Sequence, residues 1–152
     1  MVNNAEKKRN LVQNIIRDVC LDLEDYTKLN SMLIHQRELM NQRNNAALLT
    51  HNASQTALCE ILVKRASNRS LYLNQLGFDA NAGGMTALIS VLPVHLKPKI
   101  KVLWQNVMKI VEDNHRENET NGNLLVMQQS IIQRVLQQDN QDQIDYGANI
   151  PA

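Results

Sequence analysis

The chain has 152 residues, 43% hydrophobic but only 3% aromatic, with 16 basic and 15 acidic side chains and a formal charge of +1. That length suits one domain with a real core. The near-even charge makes no demand for nucleic acid or an anionic membrane as partner, and so few aromatics disfavour β-sandwiches and base-stacking platforms.

Five glycines and three prolines leave little material for turns, so few, long elements are expected. Residues 1–10 are polar and carry Lys7, Lys8 and Arg9, and Gln13, Asn14, Arg17 and Asp18 interrupt the apolar pattern that follows. This is not a signal-peptide pattern, and no run reaches the length of a membrane span. A soluble, cytoplasmic protein without membrane insertion is expected. Cys20 and Cys59 stand without a second ligand at metal spacing and read as buried or neutral thiols in a reducing cytosol, a disulfide between them being the lesser alternative.

The first predicted helix covers about 5–49. Val12, Val19, Tyr26, Leu33, Met40 and Ala47 recur at every seventh position, with no Pro or Gly between them. Seven-residue phasing implies a left-handed coiled coil. Thr50, His51, Asn52 and Ser54 read as a polar break with capping residues. A second helix is predicted over about 53–77, stopped by Gly77. Phe78 to Gly84 reads as a loop, and 85–92 as a short apolar helix ended by Pro93.

The last long helix is predicted over about 98–138, with Pro98 in its first turn. Ile100, Leu103, Trp104, Val107, Ile110 and Val111 share one face. Residues 112–123 have no apolar side chain and read either as a loop or as continuous helix. The rows Trp104, Val111, Asn118, Leu125, Ile132 and Ile100, Val107, Asn114, Asn121, Gln128, Val135 keep one phase across them, which favours helix. Asn114, Asn118 and Asn121 then form a polar seam that fixes register against a partner helix, and Gly122 would permit close backbone approach. From Asp139 the pattern dissolves into a flexible tail, residues 139–152. The expected fold is all-α: a single-domain, up-down-up bundle of three long helices with one short extra helix.

No catalytic motif appears. The histidines at 35, 51, 95 and 115 lack metal spacing, and Gly83-Gly84 lacks the flanking residues of a phosphate loop, so neither enzyme, metal nor cofactor is expected. Lys97, Lys99 and Lys101 beside Trp104 read as a solvated helix start. Leu124, Leu125, Met127, Ile131, Ile132, Val135 and Leu136 spread over about half the helix circumference, wider than a two-helix seam needs. They read either as core between two neighbours or as an adaptable protein-binding face.

Asn118-x-x-Asn121-Gly122-x-Leu124-Leu125 resembles the Asn-rich signature in the last helix of the FlgN family of flagellar export chaperones. Arg69-x-Leu71-x-Leu73-x-x-Leu76-Gly77 looks like the end of that family's second helix. Tyr146-Gly147-Ala148-Asn149 is similar to its Tyr-Gly-Ala-Asp tail motif, with Asn149 in place of the acid. The resemblance implies a cytoplasmic chaperone that binds the C-terminal region of hook-filament junction proteins (hook-associated proteins of the FlgK/FlgL type). It further implies that the chaperone prevents their premature association and delivers them to the flagellar type III export gate. Carried onto this chain, it puts cargo binding at Leu124, Leu125, Ile131, Ile132 and Val135, and gate docking at Tyr146. The rival expectation is a structural coiled-coil or adaptor protein that self-associates into a homo-oligomer through the same face.

Overall fold

A computed structural model describes residues 3–148. The described chain is all-helical: α1 (Asn4–Asn41), α2 (Asn45–Gln75), α3 (Ala82–Ser90) and α4 (Lys97–Ala148). Asparagine starts three of the four. The side chains of Asn3, Asn44 and Asn81 accept from the backbone N–H of Glu6 at 2.7 Å, Ala47 at 3.3 Å and Gly84 at 2.9 Å, each satisfying a donor the helix leaves unpaired.

The boundary between α1 and α2 departs from the sequence reading. α1 ends at Asn41, and Thr50, His51, Asn52 and Ser54 lie inside α2. The reversal is a Schellman turn: Arg43 N–H donates to the Met40 carbonyl at 3.2 Å and Asn44 N–H to the Leu39 carbonyl at 3.1 Å. Arg43 holds the left-handed position, at φ 54°, where a Cβ costs about 1 kcal/mol. Arg43→Gly is therefore expected to raise stability by about 0.5–1 kcal/mol in urea denaturation. The same turn ends α2, with Gly77 at φ 85° and Phe78 N–H donating to the Leu73 carbonyl at 2.9 Å.

Two further boundaries move. Ala82 to Gly84 belong to α3 rather than to a loop, because Asn81 caps the helix there. A Cβ on Gly84 would meet the Asp79 carbonyl oxygen at 1.7 Å, so only glycine lets this loop close against the helix. The polar residues 112–123 are helical throughout, and α4 continues to Ala148, so residues 139–148 are helical rather than an irregular tail. Once a long helix exists, each added residue needs no new nucleus, so a polar sequence can prolong it.

The chain falls into two compact units, Met1–Glu117 and Asn118–Ala152. In the first, Ile15 and Val19 of α1, Leu73 of α2, Met85, Leu88 and Ile89 of α3, Leu92, and Ile100 and Val107 of α4 form one buried cluster. Each such side chain contributes about 1.5–3 kcal/mol when fully buried. Leu29, Leu33, Leu58 and Leu62 form a second cluster, built by α1 and α2 alone. Bonds between these two helices pair rising numbers on α1 with falling numbers on α2. Asp22 meets Arg69, Asp25 meets Arg65 and Gln36 meets Asn52, as in an antiparallel hairpin. No described helix is long and apolar enough to cross a membrane.

Candidate protein-binding surface

The second unit consists of the distal part of α4. A helix gains most of its stability in water from an apolar face covered by a neighbour. Here large apolar side chains stand open: Leu125 is 47% exposed, Val126 65%, Met127 60% and Leu136 56%, while Leu124 is half-buried. Leu125, Val126 and Met127 are consecutive, and at 100° per residue they reach around more than half of the helix. Such a patch marks a place where another polypeptide can bury apolar surface. The side chains of Ile131, Ile132, Val135 and Tyr146 lie outside the described residues.

The asparagines of α4 separate. Asn114 is buried, and its Nδ2 donates to the Tyr26 carbonyl at 2.9 Å; its Oδ1 is buried without a partner. Asn121 is also buried, whereas Asn118 is exposed. The spacing that puts Asn118 on a neighbouring row turns it outward. Gly122 is exposed too, and an added Cβ would meet nothing within 4 Å among the described residues. Nearby, Arg37 of α1 pairs with Glu117 of α4, both half-buried.

A charged cluster that the sequence did not reveal ties α1 to α2. Asp22 is 1% exposed. It accepts from Arg65 Nη1 at 2.9 Å and from Arg69 Nη1, while Arg65 Nη2 donates to Asp25 at 2.8 Å. The Arg69 guanidinium also lies 5.4 Å from the centre of the Trp104 ring, a cation–π contact to α4. Burial works against the Arg65 charge, but the hydrogen bonds and charges of Asp22 and Asp25 outweigh it and raise its pKa. Burial pushes the Tyr26 hydroxyl up, helped by the nearby Asp22 carboxylate, and burial alone raises the Cys59 thiol. The signal available in the sequence was Asp18, Asp22 and Asp25 on one side of α1 and Arg65 with Arg69 one turn apart on α2.

These groups do not converge on a reacting point. Asp22 is saturated by two guanidinium groups, and a thiol with a raised pKa is a poor nucleophile. His51 Nε2 lies 2.7 Å from the Met32 carbonyl and His35 stacks edge-on to His51 at 5.1 Å, so both serve the helix packing. Among the described residues no group of three or more His, Cys, Asp or Glu could hold a metal ion. What the surface offers chemically is apolar area.

The family model described as FlgN protein matches residues 4–149, which takes in all four helices. No curated protein and no solved structure matches the chain. A match over nearly the whole length, on an all-helical chain with open apolar side chains on its last helix, places the protein in the FlgN family, whose general role is that of a flagellar export chaperone.

Proposed function

We propose that this protein is a cytoplasmic, non-enzymatic chaperone for the C-terminal region of hook-filament junction proteins of the FlgK/FlgL type, which it keeps from associating early and hands to the type III export gate. The observation that carries this reading is the exposure of Leu125, Val126, Met127 and Leu136 on the distal part of α4. In this reading α1, α2 and α4 form an up-down-up bundle of coiled-coil character. Leu124, Leu125, Ile131, Ile132 and Val135 take up an amphipathic helix of the cargo, and Tyr146 docks on the gate. Met127 adds a flexible side chain that adjusts to the cargo's shape.

Calorimetry of the full chain with the C-terminal segment of a hook-associated protein tests the reading. Saturation at a fixed stoichiometry is expected, with a negative heat-capacity change from buried apolar surface. No heat and no saturation would refute it. The rival, a structural coiled-coil or adaptor protein, has the same surface cover itself. It requires a stable oligomer by light scattering without cargo, and no change when cargo is added. Deleting residues 140–152 is expected to leave cargo affinity within about twofold, since the cargo residues lie before them, while export in cells falls by at least about tenfold.

A further inference from the structure

We propose that the end of the first unit where α1 and α4 begin is a docking surface for an anionic lipid bilayer. Six exposed cations stand there: Lys7, Lys8 and Arg9 on α1, and Lys97, Lys99 and Lys101 on α4. Among the described residues none of these side chains has an ion-pair or hydrogen-bond partner. The acids in the same stretches of chain are Glu6 on α1 and Asp79 in the turn after α2. The overall charge of +1 thus conceals a strongly basic end.

The two groups of cations belong to one end because α1 and α4 run in the same direction. Asn114 bonds to the Tyr26 carbonyl, and further along both helices Glu117 pairs with Arg37. Counting back from the Asn114 bond sets Lys97 of α4 level with Arg9 of α1, and counting back from the Glu117 pair sets it level with Arg17, so Lys97 lies within about two turns of the level of Arg9. Val12 and Ile15 of α1 and Ile100 of α4 belong to one core cluster, which also takes in Leu73 and Leu76 near the end of α2. Gln75, near the end of α2, lies with Lys7 and Lys8 around one shallow pocket.

The chemistry of the patch favours lipid over protein or nucleic acid. Five of the six cations are lysines, hydrated point charges that suit a diffuse negative plane. Carboxylate or phosphate recognition at fixed geometry favours the planar fork of arginine. Lysine is also depleted in protein–protein interfaces. Trp104, the one aromatic close to the cluster in sequence, is half-buried beside the Arg69 guanidinium, so it offers no open platform for a base. Exposed aliphatic side chains precede the cations of α4: Val94 is 88% exposed and Val91 68% exposed in the segment that leads into Lys97. Lysines around single aliphatics match the headgroup layer of a bilayer, where each cation strengthens binding by about fivefold at low salt.

The test is sedimentation of the full-length chain with vesicles of phosphatidylglycerol and phosphatidylcholine in equal parts, beside vesicles of phosphatidylcholine alone. Binding is expected to the mixed vesicles only, and to weaken as salt rises. K97E/K99E/K101E should bind at least about tenfold more weakly. K28E/K64E/K109E, which makes the same charge change at exposed positions elsewhere, should lose less than about threefold. Circular dichroism of both variants verifies the helix content. Failure of the unaltered chain to sediment with the mixed vesicles would overturn the proposal. So would equal losses in the two triple variants, or equal binding to phosphatidylcholine. Capture of single-stranded RNA without capture of vesicles would overturn it in favour of a nucleic-acid surface.

Discussion

L125D/I132D is expected to abolish cargo binding, lowering affinity by at least about a hundredfold, while the helix content stays as it is. Leu125 is 47% exposed, so a carboxylate there meets water in the free chain and disturbs little. In the proposed complex the same carboxylate would be enclosed by apolar cargo, and an unpaired charge removed from water costs several kcal/mol. Ile132 lies on the same seven-residue row as Leu125, so the two charges fall along one strip of the helix. A hundredfold is about 2.7 kcal/mol, less than the desolvation of a single charge can cost. Calorimetry gives the affinity and circular dichroism the helix content. Unchanged affinity would mean that cargo binds elsewhere, and loss of helix would mean that the residues serve the fold.

The second large effect concerns stability. Asp22→Ala is expected to destabilise the protein by about 3–5 kcal/mol, because it leaves Arg69 without its carboxylate and Arg65 with Asp25 alone at a site with little water. For a chain of this length that lowers the melting temperature by roughly 10 °C. The loss is a large part of the 5–15 kcal/mol that holds an ordinary domain together. Replacing all three at once, D22L/R65M/R69M, should recover most of the stability, because a desolvated ion cluster and a well-packed apolar one differ little in free energy. Urea denaturation of both variants checks this. If D22A costs under 1 kcal/mol, the cluster is wetter than the 1% exposure of Asp22 implies.

The contrast between these two sites shows what a single sequence can reveal. The broad apolar face around Leu125 is legible because many apolar residues crowd one segment, a local property. The Asp22 cluster joins residues far apart in the chain, and no local spacing says which acid meets which arginine. Arg69 stood out as part of a family-like motif, and the structure gives it a physical role: it bonds Asp22 and lies beside Trp104.

Helix ends show the same limit. The row from Val12 to Met40 stays in phase to the end of α1, and Ala47 falls on it by coincidence although it belongs to α2. Heptads report which side of a helix is covered and say nothing about where the chain reverses. The reversal uses Arg43 where glycine is usual, so the strongest local marker was missing. Two of the polar residues read as a break, His51 and Asn52, make bonds across the α1–α2 hairpin instead. His51 reaches the Met32 carbonyl, and Asn52 accepts from Gln36 at 2.8 Å. In a chain with 32 Asn and Gln residues, polar side chains serve as caps and as cross-helix contacts, so polarity alone is a weak sign of a loop. Asn118 illustrates the converse: its spacing suggested a seam, but only Asn114 and Asn121 of that set are buried.

Hydrogen exchange of the free and cargo-bound chain over residues 118–136 bears most directly on the idea that distal α4 stays uncovered until cargo arrives. Fast exchange in the free chain, slowed at least about tenfold by a saturating hook-associated C-terminal segment, is the predicted result. Equal protection with and without cargo, or protection gained only within residues 3–117, would contradict it.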